Sequence, residues 1–556
     1  MQITCPERAQ RVEGLTNVHC FFQYARPMMD KRTKWMVAFA ILLVVFILRA
    51  PAFWTHIMDV DEAQFAGYAK ALLSGGLPYV ASVDTKPIGI YYFYAAVFAL
   101  FGHNNMIAVH VMTALWVGLT AYFCYRIAKK LYSEQAGFIA ALFYAIFSTT
   151  YIPKFISTSI VVIMMLPLTI SIDLFLSWEQ TGRRVFLWLS GIMWGVACLF
   201  KYQAGINLIL MAFYLLLFRP IILERSIARM NIRAFFIFMA GGALIGGLFA
   251  LHLYLLGDWN DFVFWSLTGS LAYVEAASSL MSFWKTLAIR GGAIIASSFL
   301  LWYFAARRIG HVIADLFRTT RNQIAKHEEY LVVFWFFFSI IPVCTGGKFY
   351  GHYFLQLYPA LCILAAGHAM SFFAWLKSGA ATRLKQWAYA LFAIGLFVPA
   401  LGFFGARLVS DQIYSLIGEE NPKVYEPVAQ YVKQHTNNKD SIFVWGFATP
   451  IYYFSDRIPA SRFLWCDWMT GRVSGLPSAR DPSVDTTAYI TNGSWEMFFA
   501  DMENRKPIYF IDTSPGNYHD YGKYPLSKYP KLMSYLSDHY NREKSFAGVD
   551  FYKRIN

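Results

Sequence analysis

The sequence predicts a polytopic α-helical membrane protein with a C-terminal soluble α/β domain. Of its 556 residues, 57% are hydrophobic and 15% are charged, whereas a soluble domain has roughly 25% charged residues. Apolar stretches of about 17–25 residues are long enough to cross a bilayer as helices. Such stretches recur until the composition turns polar near residue 408, and five of them are 35–52, 106–125, 159–178, 232–256 and 353–376.

The N-terminal segment, 1–33, is predicted to be a cytoplasmic tail. It is polar, lacks the apolar core of a signal peptide and ends near the basic residues Lys31 and Arg32. The stretch 35–52 is therefore expected to stay in the membrane as the first span.

The distribution of charge indicates the topology. The formal net charge is +14, but Lys and Arg cluster in short loops between apolar stretches, a pattern that argues against a nucleic-acid partner. Basic loops of membrane proteins stay on the cytoplasmic side. With the N-terminal tail in the cytoplasm, every second loop between spans is also cytoplasmic. The later basic clusters lie in these loops only if the apolar segment 87–102 does not cross the bilayer.

Segment 87–102 is therefore expected to lie along the outer interface, with its aromatic side chains at the depth of the lipid headgroups. These side chains are Tyr91, Tyr92, Phe93, Tyr94 and Phe98. The segment belongs to a large external stretch, 53–105, here named the first loop. The transmembrane module 34–407 is then expected to hold about eleven to thirteen transmembrane helices.

The C-terminal part, 408–556, is predicted to be an external α/β domain. An amphipathic helix is expected at 424–435 and another helix near 494–503. Short apolar runs at 442–445 and 508–511 are typical of buried strands.

The first loop begins with three carboxylates close to the membrane surface, Asp59, Asp61 and Glu62. A carboxylate in this place can act as a general base on an acceptor hydroxyl. The alternative is helix capping, because acidic residues stabilise the N-terminus of the helix that is expected to follow.

Basic residues are scarce on the predicted outer face, but four occur at its membrane edge. They are Lys86, Lys201, Lys348 and His352, the last followed by Tyr353. Lysines at an interface can simply extend their ammonium groups to water, and an intramembrane lysine can pair with an acid. Together, these cations are expected to form an anion-binding wall opposite Asp61 and Glu62.

An acid facing several cations suits inverting transfer of a sugar from a polyprenyl-phosphate carrier. The leaving phosphate requires positive charge, and the attacking hydroxyl requires a base. Such a donor carries its own activated leaving group, so no nucleotide-binding motif is needed, and neither a GxGxxG nor a P-loop pattern occurs.

Four motifs in order along 55–375 resemble the GT-C class of membrane glycosyltransferases, particularly bacterial relatives of protein O-mannosyltransferases and of lipid A aminoarabinose transferases. The motifs are Asp61-Glu62 with Gly76-Leu77-Pro78-Tyr79, Lys86-Pro87-Ile88-Gly89, Gly191 and Gly195 before Lys201, and His352 to Pro359.

The resemblance implies a catalytic role for Asp61 with Glu62 as its neighbour. It implies that Lys86 binds the carrier phosphate and that Lys201 and the His352-Tyr353 segment face the cavity. Relatives often carry an acidic residue in the second external loop, where this chain has Ser159. We therefore expect transfer without a metal ion and without a cofactor.

The expected partners are a polyprenyl-phosphate-linked sugar donor, membrane lipids and a lipid, glycan or protein acceptor. The expected location is the inner (plasma) membrane, with the C-terminal domain periplasmic or extracellular. Two alternatives stay open: a multispan transporter or lipid flippase without glycosyl transfer, and a ligase that moves a whole oligosaccharide or another phosphate-linked group.

Overall fold

The computed structural model describes residues 31–149, 155–222, 228–269, 280–318, 327–379, 382–409, 414, 420–474 and 477–555. The predicted cytoplasmic tail, 1–33, lies almost entirely outside the described residues.

The first part of the chain folds into helices that are joined by short turns, apart from the first loop. Its helices are α1 (Lys31–Arg49), α2 (Val60–Leu73), α3 (Gly89–Phe101), α4 (Met106–Leu131), α5 (Glu134–Phe147), α6 (Ile160–Thr181) and α7 (Arg184–Phe200). The later helices are Ile206–Ala212 with the π-helical turn Phe213–Phe218 and Arg219–Ile222, Ala228–Leu256, Trp259–Asp261 with the π-helical Phe262–Thr268, Leu280–Thr286, Gly292–Ser297, Phe299–Arg318, His327–Cys344, Tyr358–Lys377 and Arg383–Val409.

Within the described residues, seven helices are long and apolar enough to cross a membrane. They are Trp35–Trp54, Met106–Leu131, Ile160–Thr181, Tyr202–Ile221, Arg229–Leu256, His327–Gly347 and Tyr358–Lys377. A bent pair, Met281–Ser297 with Phe299–Phe317, brings the number to eight if the pair forms one span, and three shorter apolar helices accompany them. The predicted class of polytopic helical membrane protein is confirmed, while the count of about eleven to thirteen spans stays a prediction.

Two glycines of the third motif allow α7 to cross the helix Ala228–Leu256 closely. A Cβ atom on Gly191 would lie 1.9 Å from the carbonyl oxygen of Phe238, and one on Gly195 would lie 2.9 Å from the Ile245 side chain. Small residues let helix backbones approach in this way within membranes. These glycines therefore serve packing, and the packing places Lys201 at the end of α7.

The segment 87–102 forms the 13-residue helix α3, about 20 Å long at 1.5 Å per residue, and a helix of this length does not span a bilayer core of about 30 Å. Its aromatic face differs from the prediction. Tyr91 stacks on Tyr68 of α2 with ring centres 3.8 Å apart, and Tyr94 packs edge-on against Phe65 at 5.7 Å. Both tyrosines are buried in protein rather than placed among lipid headgroups, because α2 covers them.

The C-terminal part contains a five-stranded sheet in the order β2-β1-β3-β5-β4. The strands are β1 (Ser441–Trp445), β2 (Ile458–Pro459), β3 (Tyr509–Asp512), β4 (Tyr540–Phe546) and β5 (Val549–Arg554). Strand β1 is parallel to β2 and β3, whereas β5 is antiparallel to β3 and β4. The main helices are Glu426–His435, Pro450–Ser455, Ser494–Arg505 and Pro530–His539.

Polar contacts dock the C-terminal part onto the first loop. The Lys70 ammonium lies 2.5 Å from Asp456, and the hydroxyl of Thr449 donates to the carbonyl of Val60 at 3.0 Å. Trp265 of the bundle packs against Phe463. These contacts bring the C-terminal part next to the carboxylates of the first loop. The boundary at residue 408 stays a prediction.

Candidate active site

A cavity of about 830 Å³ lies between one end of the helix bundle and the C-terminal part. Of the eight side chains predicted for the site, six line this cavity. They are Asp61, Lys86, Lys201, Lys348, His352 and Tyr353. Asp59 and Glu62 are not part of the described lining.

The acidic cluster divides into three separate environments. Asp59 is buried, and its carboxylate caps α2 by accepting a hydrogen bond from the Asp61 N–H at 3.0 Å. Asp59 therefore caps α2, and its place among the substrate-binding residues stays a prediction. Asp61 lies in the first turn of α2, half-buried and facing the cavity.

Glu62 is buried behind the cavity wall and accepts hydrogen bonds from three groups. They are the N–H of Met58 at 2.7 Å, the N–H of Thr158 at 2.6 Å and Nε2 of His110 at 3.0 Å. The carboxylate thus fastens the loop before α2 to the loop before α6. Its position differs from the prediction that it stands beside Asp61 in the site, because successive residues of a helix point in different directions.

His110 connects Glu62 to the backbone of Ala52. The imidazole Nδ1 lies 2.7 Å from the carbonyl of Ala52, and a carbonyl only accepts, so Nδ1 carries hydrogen. Nε2 of the same ring lies 3.0 Å from the Glu62 carboxylate. This buried pair fixes the position of Asp61 from behind.

Ser159, which stands where relatives have an acid, begins α6. Its hydroxyl accepts from the N–H of Val162 at 3.4 Å, and its side chain lines the cavity. Arg49 holds the preceding turn by donating to the carbonyl of Phe155 at 3.1 Å. Across the described part of the chain, no three His, Cys, Asp or Glu side chains are grouped so that they could hold a metal ion, and metal-independent transfer stays a prediction.

Lys86 is paired with Asp84, an acid without a predicted role. The buried carboxylate accepts from the Lys86 ammonium at 3.0 Å and from the Thr85 N–H at 2.7 Å. It also accepts from the side chains of Gln64 and Tyr91. Four donors therefore hold Asp84, and Asp84 holds Lys86 at the cavity wall.

Two of the lysines also lie over aromatic rings. The Lys86 ammonium is 5.5 Å from the ring centre of Phe65 and 5.8 Å from that of Trp465, and the Lys201 ammonium is 4.0 Å from that of Tyr353. Cations favour the negative faces of such rings. The rings therefore hold the ammonium groups at the cavity.

Lys201 and Lys348 lie between helices, outside the spanning segments. Burial lowers the pKa of Lys201 from its usual 10.5 to about 7, an effect to which Lys86 adds and which Asp61 opposes. Burial lowers the pKa of Lys348 to about 6, against the attraction of Asp467. Positive charge is therefore costly in this wall until an anion enters it.

The C-terminal part supplies cavity residues that the sequence did not single out, among them Trp465, Asp467, Trp468 and Arg472. Arg472 donates to Asp467 at 3.1 Å, and the hydroxyl of Tyr521 donates to the same carboxylate at 2.7 Å. The two closely spaced tryptophans, Trp465 and Trp468, were a signal in the sequence that could have indicated a binding surface. Nothing local indicated that it faces Asp61, about four hundred positions earlier.

Comparison with known proteins places these residues in context. Residues 85–245 match the family described as dolichyl-phosphate-mannose-protein mannosyltransferase. This range contains Lys86, Ser159 and Lys201 and begins after Asp61. No curated protein sequence matches the chain.

Two solved proteins share the fold over nearly the whole chain. The oligosaccharyltransferase of Archaeoglobus fulgidus is 13% identical with a TM-score of 0.54, and the match covers 96% of this chain and 75% of that one. A structure of the oligosaccharyltransferase AglB from the same organism, in complex with an inhibitory peptide and a dolichol-phosphate, is 11% identical with a TM-score of 0.53. This match covers 94% of this chain and 75% of that one.

ArnT from Cupriavidus metallidurans bound to undecaprenyl phosphate is 13% identical with a TM-score of 0.56, and the match covers 95% of this chain and 99% of ArnT. The resemblance in the sequence motifs is thereby confirmed at the level of fold. The chain is a multi-pass membrane protein with the fold of the GT-C glycosyltransferases.

Proposed function

We propose that this chain is an inverting glycosyltransferase that moves a sugar from a polyprenyl-phosphate carrier to a hydroxyl of an acceptor. One observation carries the proposal: a single cavity joins a half-buried carboxylate, Asp61, to three lysines, Lys86, Lys201 and Lys348. The family match to dolichyl-phosphate-mannose-dependent enzymes and the undecaprenyl phosphate bound to ArnT support this donor chemistry.

In the proposed reaction, the acceptor oxygen attacks the anomeric carbon from the side opposite the carrier. The bond between that carbon and the phosphate oxygen breaks, and the phosphate leaves with the electron pair. Asp61 takes the proton of the attacking hydroxyl as general base. The lysines stabilise the negative charge that develops on the leaving phosphate.

Each remaining residue has a distinct proposed role. Lys86 binds the carrier phosphate. Lys201 and Lys348 surround the phosphate with positive charge, which burial makes unfavourable as long as no anion is bound. Tyr353 holds Lys201, and His352 packs edge-on against Tyr353 at 4.8 Å. Glu62 positions the loop of Asp61 and does not contact the substrate.

We further propose that the cavity faces the outer side of the inner (plasma) membrane. The positive-inside distribution of the basic loops supports this orientation. The C-terminal part would then be periplasmic or extracellular, and the acceptor would be a lipid, glycan or protein on that side.

Replacing Asp61 by Asn tests the proposal. Membranes carrying Asp61→Asn should transfer label from a synthetic polyprenyl-phosphate sugar about 100-fold or more slowly, because positioned proton transfer contributes about 10²–10⁴-fold. Asp481→Asn, which changes an exposed carboxylate of the C-terminal part, is the matched control and should keep full activity. Transfer by Asp61→Asn at the control rate would refute the role of Asp61.

A further inference from the structure

The cavity wall built by the C-terminal part differs chemically from the wall that carries the lysines. We call this surface the C-terminal wall, and its members are Phe447, Trp465, Asp467, Trp468, Arg472 and Tyr489. Its one arginine and one aspartate form a salt bridge of 3.1 Å with each other. The C-terminal wall is thus electrically balanced, and it offers no excess charge to a phosphate or a carboxylate.

The rings of the C-terminal wall form a rigid apolar surface. Trp465 and Trp468 have ring centres 5.9 Å apart at an angle of 43°, and Trp265 supports Trp468 edge-on at 5.2 Å. Broad, rigid side chains of this kind provide contact area at low entropic cost. Flat faces of a sugar ring, which expose C–H groups, are suited to pack against them.

Polar atoms around these rings lack partners within the described residues. They are Nε1 of Trp468, Nε of Arg472 and Oε1 of Gln203 on the opposite side of the cavity. Gln203 cannot turn freely, because its Nε2 donates to the carbonyl of Pro342 at 3.2 Å. A buried polar atom without a partner costs about 1–3 kcal/mol, so a ligand with both donors and acceptors would relieve two kinds of deficit here.

These properties select among ligand classes. A lipid tail would leave the polar atoms unsatisfied, and an anion would gain nothing from the neutral Asp467–Arg472 pair. A neutral polyol in ring form supplies apolar faces for the tryptophans and hydroxyls that donate and accept. Its chemistry therefore complements the C-terminal wall.

We infer that the C-terminal wall is the acceptor subsite and that the acceptor is a neutral carbohydrate, so that the enzyme forms a sugar–sugar bond. The assignment as acceptor subsite rests on the proposed function, in which Asp61 and the lysines hold the donor side. The hydroxyl that loses its proton to Asp61 then belongs to a sugar bound against Trp465 and Trp468.

Binding of carbohydrate can be measured without any transfer. The full-length chain, purified in detergent, is applied to an array that carries neutral oligosaccharides, phosphorylated or sialylated glycans, and short peptides that contain Ser and Thr. We expect retention on neutral oligosaccharides. Retention only on charged glycans, only on peptides, or on nothing would overturn the inference.

A matched pair of tryptophan variants assigns the binding to the C-terminal wall. Trp468→Phe keeps the ring stack and removes one donor, and it should bind the retained oligosaccharide about three- to tenfold more weakly. Trp495→Phe, in which the ring packs on Trp445 and Tyr529 outside the cavity, should bind as the wild type does. Equal binding by both variants would contradict the assignment.

Gln203→Leu provides a second variant that leaves the C-terminal part intact. It should weaken the same binding, and unchanged binding would count against the subsite even if Trp468→Phe proved unstable. Failure of the proposed function looks different: the oligosaccharide would still be retained, but wild-type protein would release no sugar from the polyprenyl-phosphate donor.

Discussion

The two ends of the helix bundle differ in how completely their buried charges are paired. Glu179 lies 20 residues along α6 from Ser159, which is about 30 Å at 1.5 Å per residue. At that far end, Asp173 contacts Lys130 at 2.6 Å and Arg126 at 3.0 Å. Glu179 likewise contacts both Arg219 and His327, and Glu329 contacts Arg308.

At the cavity end, Lys86 is paired with Asp84 and Arg472 with Asp467, and Lys201 is the exception among the described residues. Lys201 forms no salt bridge within the part of the chain that the structure describes, and its nearest recorded partner is the ring of Tyr353. Buried ion pairs mainly fix a structure, whereas a buried cation without its own acid is prepared for an external anion. The contrast therefore separates the paired charges of the far end from Lys201, which is proposed to bind substrate.

The largest expected effect is at the far end. Asp173→Asn leaves Lys130 and Arg126 without their carboxylate and should lower the free energy of unfolding by about 3 kcal/mol. The thermal unfolding temperature of the detergent-purified protein measures the loss. Lys201→Met, which removes a destabilising buried charge, should unfold at the wild-type temperature or above it. The comparison fails if Lys201→Met is the less stable of the two.

Removing Lys86 should affect the donor and leave the fold in place. Lys86→Ala is expected to weaken binding of the polyprenyl-phosphate sugar about 10- to 100-fold, because a hydrogen bond to a charged group contributes about 1.5–3 kcal/mol. Asp84 keeps its bonds from Gln64, Thr85 and Tyr91. Direct binding of labelled donor, with the exposed Lys439→Ala as control, checks this. An unchanged dissociation constant in Lys86→Ala would remove Lys86 from the phosphate site.

The depressed pKa of Lys201 predicts a pH dependence of donor binding. With a pKa of about 7, Lys201 is about nine-tenths charged at pH 6 and about one-tenth charged at pH 8. The phosphodiester of the donor stays anionic throughout, so the loss of charge on Lys201 should lower the donor affinity by up to about tenfold as pH rises from 6 to 8. Lys201→Arg, which stays protonated, should make the decrease about tenfold smaller. The same slope in both proteins would contradict the lowered pKa.

The smallest expected effect is that of a chelator. Because Ser159 stands where relatives carry an acid, treatment with EDTA should leave the rate of sugar transfer unchanged. Loss of activity that a divalent cation restores would show that a metal ion takes part. Measuring Asp61→Asn alongside provides the inactive reference.

The sequence predicted what depends on local pattern. The helix at 424–435 and the strands at 442–445 and 508–511 correspond to elements of the structure, because an amphipathic helix leaves a periodic signal and a buried strand leaves a short apolar run. The burial of Tyr91 and Tyr94 could not be foreseen, since an aromatic face looks the same whether lipid or protein covers it.

The candidate site shows the same limit. Six predicted side chains line one cavity. Most of them could be predicted because charged residues at a membrane edge are conspicuous in a sequence. The partners that hold Glu62 behind the cavity wall were not predicted, because His110 and Thr158 are distant from it in the chain. The C-terminal wall was missed for the same reason.

The pairing of Lys86 with Asp84 has a consequence for the catalytic cycle. A lysine that already has a carboxylate partner does not gain the full attraction of an incoming phosphate, because one anion replaces another. Release of the spent carrier is favoured for the same reason, because the Lys86 ammonium then pairs with Asp84 again. Under the proposed function, Asp84 thus limits how tightly Lys86 holds the carrier phosphate, both before and after transfer.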